Sequence, residues 1–137
     1  MIIKSFEHNK IDKKLNNYFL LYGENDGAKL DFLKIVFSEK FKEIIRYHEN
    51  EILSNKDDFY SSISTKSFFE KEKIIIIQNV TNKIFDIISE IIEKNIDDVT
   101  IILEANILDK KSKLRNYFEK DKKLVCVPFY PDTQQTL

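Results

Sequence analysis

Five short apolar runs, separated by segments with helical periodicity, constrain the fold of this chain more than any other feature. They lie at residues 18–22, 44–48, 73–78, 99–103 and 124–127, and the second of them also carries an arginine and a histidine. The third run contains four consecutive isoleucines, and an unalternated β-branched run is typical of a strand buried on both faces. We expect the last strand to stop at Pro128, which cannot donate to a sheet hydrogen bond.

Helical patterns fill the intervals, and we expect helices at about 28–41, 57–65, 81–94 and 112–120. In the clearest of them, isoleucines at positions 84, 87, 88, 91 and 92 share one face. The first helix is predicted to bury Leu30, Leu33, Phe37 and Phe41. This alternation predicts an α/β domain with a parallel sheet of about five strands between two helical layers. Residues 1–11 are a candidate for a further edge strand.

Composition narrows the class of protein. A length of 137 residues fits one domain. With 22 basic and 23 acidic residues, the net charge of −1 argues against nucleic-acid binding as the main role. The single cysteine, Cys126, rules out an internal disulfide, and we expect no metal and no cofactor. The longest aliphatic run, Ile74 to Ile77, is far too short to span a membrane, so we expect a cytoplasmic protein.

The turn after the first run has the position of a phosphate-binding loop in nucleotide-binding α/β proteins. Lys29 is at the right distance from Gly23 for the pattern G-x-x-x-x-G-K-[ST]. However, Ala28 stands where the second glycine belongs, and Leu30 replaces the hydroxyl residue that would hold magnesium. We therefore interpret the segment as a strand-to-helix turn, with Gly23 and Gly27 as turn residues.

The end of the isoleucine run is a second test of whether the chain has a working nucleotide site. In such enzymes an apolar strand ends in an acid that binds magnesium, whereas here it ends in Gln78 and Asn79. Other candidates for chemistry are weak: Asp97 and Asp98 fit a turn, and Cys126 fits an inert core thiol. We therefore expect no catalytic residue and no intrinsic hydrolysis.

An aromatic pair, Phe68 and Phe69, lies just before the isoleucine run. Adjacent side chains of a regular element cannot both face one core. Either both anchor a loop under the sheet, or one protrudes into a pocket of a partner. A basic cluster at residues 110–115 fits a solvated face, or a minor contact with an acidic partner or nucleic acid.

The chain resembles the N-terminal domain of the delta subunit of bacterial DNA polymerase III, a clamp-loader subunit. Three stretches carry the resemblance: residues 18–24, residues 67–77 with Ser67, Phe68 and Phe69, and residues 101–115 continued by 125–132. The resemblance extends over nearly the whole chain in consistent order.

The resemblance implies an AAA+-like, P-loop NTPase-like domain with a degenerate nucleotide site. It also implies a hydrophobic pair that inserts into a pocket of the ring-shaped sliding clamp and helps to open it, with Ser67, Phe68 and Phe69 at the binding positions. Phe68 departs from the leucine common there. The family's lid and collar domains, which assemble the loader, do not fit in 137 residues, so we expect a fragment that reaches DNA only indirectly through the complex.

Three functions remain open from the sequence. The first is a clamp-binding subunit of a replication clamp loader. The second is a small nucleotide-binding phosphotransferase with an irregular loop, which Lys29 would support. The third is a scaffold that binds only other loader subunits, with Phe68 and Phe69 buried.

Overall fold

A computed structural model describes residues 1–12, 15–38, 44–64, 73–94 and 99–130. These residues form one sheet of five strands: β1 (Tyr18–Gly23), β2 (Ile45–His48), β3 (Lys73–Gln78), β4 (Val99–Ala105) and β5 (Leu124–Phe129). All neighbouring strands are parallel, in the order β2-β3-β4-β1-β5. The predicted α/β fold with a five-stranded parallel sheet is confirmed, and the arrangement is consistent with a three-layer AAA+-like fold.

The described helices alternate with the strands. They are α1 (Asp26–Phe37), α2 (Glu49–Ser54), α3 (Lys56–Ser64), α4 (Phe85–Lys94) and α5 (Lys113–Lys120), with 3₁₀ helices at Ser5–Lys10 and Asn82–Ile84. We did not predict α2, because a six-residue helix with few apolar residues gives no measurable periodicity. The predicted helix at 81–94 begins as a 3₁₀ turn, where the Thr81 side chain accepts from the Lys83 amide.

The sheet is covered on both faces, which explains the unalternated apolar runs. Within β3, Ile74 and Ile76 pack with α1 residues such as Phe32. Ile75 and Ile77 face the opposite way and join a cluster with residues of α2, α3, α4 and α5. Because alternate strand residues point to opposite faces, each central strand needs apolar residues at every position.

Three expectations about local structure are corrected. Leu30 is 40% exposed, because the buried face of α1 follows Lys29, Phe32, Leu33, Val36 and Phe37 instead. β5 continues through Pro128 to Phe129; an edge strand tolerates the missing amide. The N-terminal segment adds only an isolated parallel bridge between Ile2 and Cys126, not a full edge strand. Phe41 lies outside the described residues.

Candidate functional site

The carboxyl ends of the parallel strands meet at one edge of the sheet, which we call the carboxyl edge. β1 lies between β4 and β5. The chain leaves β1 through α1 on one face, whereas it leaves β4 through α5 on the other. The β1–β4 boundary is therefore a topological switch point, where ligands of open α/β sheets usually bind.

The connection from β1 to α1 contains only Glu24 and Asn25. Asn25 caps α1, because its side-chain oxygen accepts from the Ala28 amide at 3.1 Å. The same side chain donates to the main-chain oxygen of Tyr130 at 3.2 Å, which ties the turn to the end of β5. The side chain of Asn25 thus accepts a hydrogen bond from the Ala28 amide, which could otherwise bind an anion at the N-terminus of α1.

Position 23 accepts only glycine, because the backbone of Phe129 lies too close for a side chain. The φ of Gly23 is +122°, and a Cβ atom there would lie 1.8 Å from the main-chain oxygen of Phe129. Gly27 lies in the first turn of α1, and a Cβ atom there would find nothing nearer than the Asn25 side-chain oxygen at 3.8 Å. Gly23 therefore has the positive φ that the predicted turn needs, whereas the prediction of a turn role for Gly27 is wrong: it is helical and has no steric need to be glycine.

Lys29 points into the protein. Its side chain is almost fully buried, and its ammonium group donates to the main-chain oxygen of Ala105, at the end of β4, at 2.8 Å. The carboxylate of Asp26 lies 3.3 Å from the same nitrogen. Lys29 occupies the position of a phosphate-binding lysine, but its ammonium group forms its hydrogen bond and its ion pair within the domain itself.

The end of β3 places Asn79, not an acid, at the carboxyl edge. Asn79 has a positive φ of 56°, a left-handed conformation that asparagine tolerates better than most residues. Its side-chain nitrogen lies 3.3 Å from Nδ1 of His48 at the end of β2. Nearby, the buried Glu49 accepts from both the amide and the hydroxyl of Thr81, so this carboxylate joins α2 to the loop after β3.

Sequence reasoning did not single out Glu104, which is an acid near the switch point. Glu104 lies in β4 opposite Gln78 of β3 and Leu21 of β1. A lone acid near the end of an apolar run is the signal that could have identified it. Asp97 and Asp98, which we assigned to a turn, lie outside the described residues.

The proposed partner-binding residues Ser67, Phe68 and Phe69 also lie outside the described residues. The structure does describe both ends of their segment, α3 and the start of β3. The ammonium group of Lys73 donates to the main-chain oxygen of Ser62 at 2.6 Å. Ile63, near the end of α3, and Ile74, near the start of β3, are both buried. The two ends of the segment are therefore held to the body of the domain, where the amino ends of the strands lie.

Cys126 is a fully buried thiol in β5. Burial raises its pKa to about 12, because the apolar surroundings disfavour the thiolate. The predicted core position of this thiol is confirmed.

Neither a metal centre nor a membrane span emerges from the part of the chain that the structure describes. Those residues contain no group of three or more His, Cys, Asp or Glu side chains that could hold a metal ion. No described helix is long and apolar enough to cross a bilayer. No protein-family model matches the chain, and a search of the curated proteins also finds no match.

Proposed function

We propose that this chain is a non-catalytic AAA+-like domain of a clamp-loader delta-type subunit, which binds the sliding clamp through Phe68 and Phe69 with Ser67 beside them. The resemblance of the three sequence stretches supports the proposal, and so does a five-stranded parallel sheet of compatible topology. The observation that carries its non-catalytic part is the bond between the Lys29 ammonium and the main-chain oxygen of Ala105.

Three features of the carboxyl edge argue against nucleotide hydrolysis. Lys29 would have to break its bond to Ala105 to reach a phosphate. The connection of Glu24 and Asn25 is too short to wrap around a phosphate group, since α1 begins at Asp26. β3 ends without an acid to hold magnesium, because Gln78 and Asn79 are both amides.

The proposed clamp contact lies outside the described residues, and its described neighbours are the end of α3 and the start of β3. Residues 65–72 connect α3 to β3, and the contact between Lys73 and Ser62 fixes where this segment leaves and rejoins the domain. An aromatic side chain that enters a partner's pocket is a common hot spot.

In this proposal other parts of the loader make the contacts with DNA and with the other loader subunits. Assembly with other loader subunits uses the collar domain that the family resemblance implies. DNA is reached only through the assembled complex, which agrees with the net charge of −1. The protein acts in the cytoplasm, where bacterial replication takes place.

The test is binding of this chain to the sliding clamp of the same organism. We expect Phe69→Ala, Phe68→Ala or both to weaken binding by about 2 kcal/mol or more, measured by calorimetry or interferometry. Phe6→Ala is the matched control, because Phe6 is 74% exposed on the N-terminal 3₁₀ helix. The absence of binding by the folded wild-type chain would refute the proposal.

The same variants separate the two alternative functions. If the chain is a scaffold with a buried aromatic pair, Phe68→Ala and Phe69→Ala will lower the free energy of unfolding, with no clamp binding to lose. If it is a phosphotransferase, calorimetric titration with MgATP will show saturable binding that depends on Lys29.

A further inference from the structure

A cavity of about 300 Å³ opens at the carboxyl edge between the loops that follow β3 and β4. Its lining includes the three asparagines Asn79, Asn82 and Asn106. No residue of the turn between Gly23 and Lys29 lines the cavity, and neither does any described lysine or arginine. The cavity therefore adjoins the degenerate phosphate turn without sharing its residues, and its lining carries the acid Asp109 but no cation to attract a phosphate.

The three amides keep hydrogen-bonding capacity for a ligand. Asn79 uses its nitrogen toward His48, and no hydrogen bond joins its side-chain oxygen to another described residue. Asn82 uses its oxygen to accept from Ser112 and Leu114, and its nitrogen has no partner within the described ranges. Asn106 makes no side-chain hydrogen bond to the residues that the structure describes, so the cavity lining offers both donors and acceptors.

The walls of the cavity are held in place. The amide of Gly23 donates to the main-chain oxygen of Asn106 at 2.8 Å. The Arg115 guanidinium donates to the main-chain oxygen of Leu108 at 2.9 Å, which fixes the loop after β4. The Val80 amide donates to the main-chain oxygen of Glu104 and fixes the loop after β3. A site whose walls are already positioned loses little freedom when a ligand binds.

An apolar surface adjoins the amides. Val80 is buried, Leu108 packs partly against the core, and Ile107 is 66% exposed although it is a large aliphatic residue. An aliphatic surface beside amide groups suits a flat ligand that has an apolar face and a polar edge.

We propose that this cavity binds an uncharged nucleobase. Asparagine amides pair well with the donor and acceptor edge of a base such as adenine. Ile107 covers part of the flat face of the base, and the cavity volume is at the lower end of the range for small-molecule sites. This site does not depend on clamp binding through Phe68 and Phe69, so either proposal can fail while the other stands.

The test follows chemical shifts of the isotope-labelled chain during titration with adenine, cytosine and uracil, and with adenosine compared with adenosine monophosphate. We expect saturable shifts of the Asn79, Asn82 and Asn106 side-chain signals with at least one base, and similar affinity for adenosine with and without phosphate. Asn106→Leu should weaken that binding by about tenfold or more. Asn50→Leu is the control, because Asn50 is exposed on α2 and does not line the cavity.

Ile107→Ser provides a second variant that cannot disturb the core, since Ile107 is exposed. We expect weaker base binding with an unchanged spectrum of the free protein. The proposal is overturned if no base gives saturable shifts, or if Asn106→Leu and Ile107→Ser both bind as the wild type does. It is also overturned if adenosine monophosphate binds far more tightly than adenosine, because that result would place the ligand at a phosphate site.

Discussion

The ammonium group of Lys29 lies 2.8 Å from the main-chain oxygen of Ala105 and joins the first turn of α1 to the end of β4. A lysine at this sequence position suggests phosphate binding. In the folded domain the same lysine satisfies a buried carbonyl oxygen, so it links two residues that are 76 positions apart along the chain.

Lys29→Met should lower the free energy of unfolding by about 1–3 kcal/mol, because it leaves the Ala105 oxygen without this donor while keeping most of the aliphatic stem. Urea denaturation measures the change. Lys120→Met is the control, since Lys120 is exposed on α5. Unchanged stability of Lys29→Met, together with MgATP binding by the wild type, would favour the phosphotransferase alternative.

The two glycines of the first turn should respond in opposite directions to alanine. Gly23→Ala should destabilise the domain by about 3 kcal/mol or more, because the new Cβ atom would collide with the Phe129 backbone at a positive φ. Gly27→Ala should instead stabilise it by about 0.4–1 kcal/mol, since this helical position is open. Thermal or urea unfolding of the pair gives the comparison, and similar losses for both would contradict it.

Asn82 should stabilise α5 from outside the helix. Its side-chain oxygen accepts from the Ser112 hydroxyl at 2.8 Å and from the Leu114 amide at 3.3 Å. Asn82→Ala should therefore cost about 1 kcal/mol, as loss of a helix cap usually does. Asn82→Asp keeps the oxygen and adds a negative charge near the helix N-terminus, so it should retain most of the stability. Equal losses for the two variants would show that the oxygen is not responsible.

The Cys126 thiol should be unreactive in the folded protein. Burial raises its pKa to about 12, so almost no thiolate exists at pH 8. A thiol-specific chromogenic reagent should react slowly at pH 8 in buffer and rapidly after unfolding in urea. Fast reaction in buffer would contradict the buried position.

The raised pKa of Cys126 also predicts how this residue contributes to stability as the pH changes. The folded protein favours the neutral thiol, so the contribution of Cys126 is fully present below its ordinary pKa of 9.0. It should be lost as the pH rises from about 9 towards about 12. Comparison of Cys126→Ala with the wild type across this range isolates the effect: the stability difference between them should narrow as the pH rises.

Much of the fold could be predicted from the sequence because it depends on local patterns. The runs that became β1, β3, β4 and β5 are apolar at nearly every position, which is typical of a strand covered on both faces. The helix patterns predicted α4 and α5 to within a few residues, although the first of them begins as a 3₁₀ turn. Helix α2 was missed because its capping, not its periodicity, defines it.

The sequence by itself determined the α/β class and the chemistry missing from the first turn and from the end of β3. Tertiary structure decided what the remaining residues do. Gly23 must be glycine because of Phe129, and Lys29 is occupied because of Ala105, and both partners are distant along the chain. The cavity with Asn79, Asn82 and Asn106 also exists only because β3 and β4 are neighbours in the sheet. Such contacts depend on strand order, which the apolar pattern of each strand does not encode.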